Sequence, residues 1–194
     1  MAGLCTLRAA RKSDAGDIAR LYLISSDGFA AYIWSRYQKT GMALEDVGRA
    51  RYSRAKSESE YSYENCTVAE RDEDIAGMMH GYPMHVPEDG NQESDPVLRP
   101  YAELELDRSF YISALAVFEA FRGQGIGTAL MDVAFERANA LGLPHVSLIC
   151  FERNEGAMRL YTRLGFREID RRAIVPHPAL HYHDGDALLM AREV

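Results

Sequence analysis

The sequence has no apolar run approaching the ~20 residues that cross a bilayer; its longest, residues 111–118, is far shorter. Cysteine is scarce. Cys5, Cys66 and Cys150 are odd in number and widely separated, which excludes a disulfide framework or a zinc-ligand spacing and leaves three reduced, structural thiols. Positive charge is also short, because 22 Lys and Arg against 29 Asp and Glu give a net charge of −7. That balance argues against a general nucleic-acid binder, which needs clustered cations for phosphate contacts, and is compatible with a cationic substrate. No amino-terminal stretch reads as a signal peptide, since Arg8, Arg11, Lys12 and Asp14 interrupt it. Repeats, low-complexity tracts and linkers are missing too. What remains is a 194-residue chain with 47% hydrophobic and 26% charged residues, the profile of one globular domain. The expectation is a single cytoplasmic domain spanning residues 1–194, with no membrane and no nucleic-acid partner.

Periodicity then orders the elements. Residues 4–10 suit a first strand, and Ser13 suits the cap of a helix to about residue 26, with Ile18, Leu21 and Tyr22 on one face. Residues 28–60 read as mainly helical, with Gly41 and Gly48 as breaks. Residues 66–71 and 75–82 read as strands joined in a hairpin at 72–74, and 83–100 as a long loop. The nearly continuous apolar stretch 110–117 predicts a strand buried on both faces. Beyond it Ile126, Leu130, Val133, Ala134, Ala138 and Leu141 repeat at helical spacing until Gly142 and Pro144 stop the helix. A strand at 145–151, a short helix capped by Asn154 and ended by Gly165, and strands near 166–175 and 187–192 complete the chain. Strand–helix alternation after an antiparallel start predicts a mixed α/β fold around one sheet.

Between strand and long helix lies RGQGIG, residues 122–127, with glycine at every second position: Gly123, Gly125 and Gly127. The dinucleotide pattern G-x-G-x-x-G fails, because Thr128 or Leu130 stands where its last glycine belongs. The P-loop fails for want of Gly-Lys-Ser/Thr. The physical logic of an anion site nevertheless holds. Glycines permit close backbone approach, and the loop feeds a helix whose first N–H groups and dipole favour negative charge. Arg122 adds a cation at the entrance. On this loop alone, a pyrophosphate cradle and a bare strand–helix turn are both open readings.

A second block, NEGAMRLYTRLGF at 154–166, sets a polar cap, a packed helix, a tyrosine and a Gly-Phe stop in fixed order. Together the blocks resemble the GNAT superfamily of N-acetyltransferases: RGQGIG fits its (R/Q)-x-x-G-x-(G/A) loop, and N-E-G-A-x-x-L-Y-x-x-L-G-F its second motif. The resemblance covers roughly residues 110–167. It implies a mixed, mostly antiparallel sheet flanked by helices, with a splayed central strand pair. It also implies acetyl transfer from acetyl-CoA to an amine, on a small molecule or a protein, by direct attack in a ternary complex. The coenzyme's pyrophosphate would rest on Arg122, Gly123, Gln124, Gly125, Ile126, Gly127 and Thr128. Its pantetheine would lie along Leu115, Ala116 and Val117, with Asn154 bonding the arm. Tyr161 would protonate the departing thiolate, which a phenol of pKa ~10 can do at neutral pH; the bland alternative is a packed aromatic.

The resemblance breaks at the base. Where some members carry a carboxylate, this sequence has Tyr111 and Ile149. Phe29, Tyr32 and Trp34 follow the first helix, a region that lines the acceptor site in the family, though core packing accounts for them equally. His177, His181, His183, Asp184 and Asp186 cluster in PHPALHYHDGD; no metal is expected, and the segment reads as a loop in which His183 borders the acceptor. The acidic run 88–107 reads as solvated surface. A homodimer is left open. Two rival readings remain, an acyl-CoA-binding sensor of the same fold and a nucleotide-binding module.

Overall fold

The computed structural model describes residues 5–88, 90 and 92–194, so Leu4 of the expected first strand lies outside the described residues. Seven strands form one sheet in the order β1-β2-β3-β4-β5-β7-β6. They are β1 (Thr6–Ala9), β2 (Cys66–Arg71), β3 (Asp74–Met84), β4 (Ser109–Val117), β5 (His145–Phe151), β6 (Arg167–Ala173) and β7 (Asp186–Glu193). The helices are α1 (Ala15–Ser25), α2 (Phe29–Ser35), α3 (Leu44–Tyr52), the single turn α4 (Arg99–Ala102), α5 (Ile126–Ala140) and α6 (Glu155–Arg163). Pairing is antiparallel for β1–β2, β2–β3, β5–β7 and β6–β7, and parallel for β4–β5. None of the described helices is long and apolar enough to cross a membrane.

The chain divides into two compact units, one formed by the chain up to Tyr82 with Ala114–Ala134, the other by Pro83–Ser113 with Phe135–Val194. In the first, α1 and α3 bury Ile18, Leu21, Tyr22 and Tyr52 with Trp34, Val68, Met78, Ala114 and Ala116. The predicted cap at Ser13 is displaced by a 3-10 turn, Lys12–Asp14. Asp14 instead accepts the Arg11 backbone N–H (2.7 Å) and the Arg8 guanidinium (2.7 Å). Burial pushes the Asp14 carboxyl up, but the bonds from Arg8 and the Arg11 N–H outweigh it and hold it below the usual carboxylate range. Within the core, His80 donates from Nε2 to the Glu60 carbonyl (2.9 Å), which leaves Nδ1 to accept from the Tyr52 hydroxyl (3.4 Å). Complete burial raises the Tyr52 phenol well above its ordinary value, so it remains a donor.

Gly41 breaks the helical stretch as expected, with φ +82°, whereas Gly48 sits inside α3. The reason is close packing: a Cβ there would lie 2.4 Å from the Trp34 ring and 2.8 Å from the Ala19 Cβ. Gly48→Ala is therefore expected to cost ~2 kcal/mol of stability, overpacking outweighing the ~1 kcal/mol gained in helix propensity. Urea unfolding reads this as a lower midpoint; an unchanged one would mean that α1, α2 and α3 repack freely.

The β2–β3 hairpin turns at Asp72 and Glu73, both at positive φ (50° and 71°), the pattern of a tight two-residue hairpin. Strand β4 is not buried on both faces: Phe110, Ile112, Ala114 and Ala116 are buried, while Tyr111, Ser113, Leu115 and Val117 are half-buried. Its apolar run overstated burial because the alternate positions face a partly open side. Among the described residues the β4–β5 ladder runs from Ser109↔His145 to Ile112↔Leu148, although β4 continues to Val117 and β5 to Phe151. In the second unit, α5 ends in a Schellman motif: Leu143 N–H reaches Ala138 C=O (2.9 Å) and Gly142 N–H reaches Asn139 C=O (3.0 Å), with Gly142 at φ +64°. Leu141, expected on the buried face, lies past the helix end and is exposed. The expected loop 83–100 gives its first two residues to β3 and its last two to α4, in which Pro100 and Tyr101 are buried.

Candidate functional site

In the first unit, β4 delivers the chain into the glycine loop. The Phe118 N–H donates to Ala76 C=O on β3 (2.9 Å). Because backbone groups alternate between the two edges of a strand, Ala116 also faces β3, while the N–H groups of Leu115 and Val117 point to the opposite edge. Close approach of β3 is secured at Gly77, where a Cβ would stand 2.8 Å from the Ala116 carbonyl oxygen. A 3-10 turn, Glu119–Phe121, then leads to Arg122, whose Nε donates back to Val117 C=O (3.0 Å). That bond occupies the carbonyl that Val117 turns away from β3.

Gly123 and Gly125 adopt φ +73° and +81°, a region that side chains with a Cβ resist. Gly127 lies within α5 at an ordinary helical angle. A Cβ added at any of the three would meet no atom within 4 Å. The first intrahelical bond runs from Ala129 N–H to Gly125 C=O (3.0 Å), so the N–H groups of Ile126, Gly127 and Thr128 have no acceptor within the helix. Gln124 is held at both ends of its amide: Nε2 donates to Ala120 C=O (3.3 Å), and Oε1 accepts from the Arg71 guanidinium. Sequence reasoning passed over Arg71, which carries no local signal beyond ending β2.

The other expected residues of this unit lie on α2. Trp34 belongs to the core, 2% exposed and stacked on Tyr22 with centroids 5.7 Å apart. Tyr32 is buried under the Arg36 guanidinium, 4.5 Å from its ring centroid, and its hydroxyl accepts from the same arginine. Phe29 is half-buried.

In the second unit, Asn154 caps α6: its Oδ1 accepts from Ala157 N–H (3.1 Å). The helix closes as α5 does, with Phe166 N–H on Tyr161 C=O and Gly165 N–H on Thr162 C=O, both 3.0 Å, and Gly165 at φ +86°. Tyr161 is half-buried and tilts against Phe166 (5.9 Å between centroids), which in turn meets Phe135 (5.9 Å). The segment between β6 and β7 is exposed at His183; its Asp184 pairs with Arg153 (2.8 Å), and Asp186, which opens β7, pairs with Arg171 (3.2 Å). His177 accepts Ala179 N–H through Nδ1 (3.1 Å). Among the described residues, no three His, Cys, Asp or Glu side chains converge as a metal would require.

The sequence model of the "Acetyltransferase (GNAT) family" matches residues 30–166. The chain belongs to that family. It is 34% identical over 67 residues to the uncharacterized N-acetyltransferase YdgE of Bacillus subtilis, covering 34% of this chain and 43% of that protein. It is 39% identical over 56 residues to N-alpha-acetyltransferase 30 of Schizosaccharomyces pombe, covering 29% and 37%. Both matches span less than half of the relative's length. A solved acetyltransferase structure superposes over 97% of this chain and 99% of its own, with a TM-score of 0.66 and 26% identity. Family and fold support acetyl transfer in general terms.

Proposed function

We propose that the protein is an acetyl-CoA-dependent N-acetyltransferase whose acceptor is an amine, taken up with the coenzyme in a ternary complex. The observation that carries this is the open cradle at the start of α5. Two glycines there are set by positive φ, the third, Gly127, is demanded by neither backbone angle nor packing, and three helix N–H groups lack intrahelical acceptors. Such a site suits a pyrophosphate, with Arg122 adding charge and Gly123, Gln124, Gly125, Ile126, Gly127 and Thr128 supplying backbone. The pantetheine arm would run along Leu115, Ala116 and Val117, with main-chain bonds to the N–H groups that Leu115 and Val117 turn away from β3, and Asn154 would help hold it. One of those N–H groups would meet the thioester oxygen as negative charge grows on it. The acceptor nitrogen attacks the carbonyl carbon, the C–S bond breaks, and Tyr161 gives its proton to the departing thiolate.

The acceptor that best fits the missing carboxylates is an α-amine. Freeing such an amine, of pKa near 8, costs only ~1–2 kcal/mol at pH 7, against ~4–5 kcal/mol for a lysine side chain. Tyr111 and Ile149 stand where a family base would be, so an acceptor already partly neutral, with water to carry its proton, suits this chain. The local similarity to an N-alpha-acetyltransferase points the same way. No metal is needed for these steps, and the whole chain is taken to act as one catalytic domain in the cytoplasm.

The same missing carboxylates favour a second reading, an acyl-CoA-binding regulator. Thermal shift with acetyl-CoA, CoA, ATP and NAD separates the coenzyme classes, because a ligand at a hundred times its Kd stabilises by ~2.7 kcal/mol. Stabilisation by acetyl-CoA and CoA alone is the expected result. A shift with ATP or NAD instead would end the transferase reading. Release of CoA thiol on adding amino-terminal peptides then distinguishes enzyme from regulator.

A further inference from the structure

We infer that Arg71 is a positioning residue for the coenzyme loop, acting through Gln124; this rests on the acetyl-CoA reading above. Arg71 ends β2, opposite Asp74 in the hairpin. Its guanidinium donates to Gln124 Oε1 and lies 5.7 Å from the centre of the Phe121 ring, so it touches the loop at two points. Gln124 stands between Gly123 and Gly125, the two residues with the least backbone restraint, and both are at positive φ. Within residues 123–125 only Gln124 has a side chain, and its amide is bonded at both ends. The acceptor end is held by Arg71 and the donor end by Ala120 C=O (3.3 Å).

A loop frozen before the ligand arrives binds more tightly, because its ordering cost has been met during folding. Arginine suits the task better than lysine, since a planar guanidinium can face a ring and direct an N–H at an amide oxygen together. The positive charge also strengthens the bond to a neutral acceptor. Nothing in the RGQGIG motif signals this partner, which lies 53 residues earlier in the chain.

The test is calorimetric titration of acetyl-CoA into the full chain and into Arg71→Met, Gln124→Ala and the double variant. Each single change is expected to raise Kd roughly three- to tenfold, the range set by one hydrogen bond. The double variant should lose no more than the larger single loss, since both remove one contact. In turnover assays Arg71→Met should raise KM for acetyl-CoA and hold kcat. A wild-type Kd for Arg71→Met would overturn the inference, and so would losses that multiply in the double variant, which would put Arg71 on the coenzyme's own phosphates. Gln124→Ala changes only an exposed side chain, so it keeps the test valid if Arg71→Met folds poorly. Failure of the wild-type protein to bind acetyl-CoA would sink the coenzyme reading and this inference with it. Failure confined to the variants sinks the inference alone.

Discussion

Gly127→Glu is expected to give a protein that is more stable and no longer binds acetyl-CoA. Both halves follow from the position. Gly127 is the second residue of α5, at a helical backbone angle, and an added Cβ meets nothing within 4 Å. Replacing glycine in a helix recovers most of the ~1 kcal/mol that it costs relative to alanine. A carboxylate in the first turn adds ~0.3–1 kcal/mol through the helix dipole. The sum, about 1–2 kcal/mol, should raise Tm by roughly 2–8 °C in a chain of this size. The same carboxylate would occupy the place proposed for a pyrophosphate. Two like charges ~4 Å apart repel by about 4 kcal/mol at an effective dielectric of 20, enough to raise Kd more than a hundredfold. Loss of affinity is normally confounded with loss of fold, and here the two move in opposite directions. A raised Tm with undiminished coenzyme affinity would show that the glycine loop is a bare turn.

The legible parts of the fold were those whose cause is local in sequence. Gly142 and Gly165 announced helix ends, and each sits in the left-handed region at the close of a Schellman motif. The hairpin at 72–74 followed from polar residues between two apolar strands. Gly48 misled because glycine has two uses. Its local meaning is a helix break, but its use here is to let α3 approach Trp34 and Ala19, a contact set by residues far away in the chain. Ser13 misled for a related reason. It is a good cap residue, yet Asp14 takes the structural role because β1 supplies Arg8 to neutralise it.

The candidate site divides along the same line. RGQGIG and NEGAMRLYTRLGF each form one contiguous piece of backbone, so their order and spacing can be read from the sequence alone. Arg71 could not be found that way, because its bond to Gln124 depends on how the hairpin meets the loop. The aromatic residues after α1 show the limit of composition. Trp34 and Tyr32 have the character of a binding pocket, and only the fold reveals that Trp34 is a core residue and that Tyr32 lies under Arg36.

Tyr161→Phe is expected to lower kcat by ~10²–10⁴-fold, the usual worth of a positioned acid, and to leave acetyl-CoA affinity within about twofold of wild type. The substitution removes one oxygen and keeps the ring that packs on Phe166. The backbone bond from Phe166 N–H to the Tyr161 carbonyl, which helps to close α6, is also untouched. A tyrosine that acts only through its ring and backbone would give a variant with normal turnover. A residue that only bound the coenzyme would instead change KM and leave kcat alone. The pH profile supplies an independent check. If Tyr161 is the proton donor, the falling limb of kcat at high pH should disappear in the phenylalanine variant, leaving a residual rate supported by water. Equal turnover in the two proteins would remove Tyr161 from the mechanism and leave its place on α6 explained by packing alone.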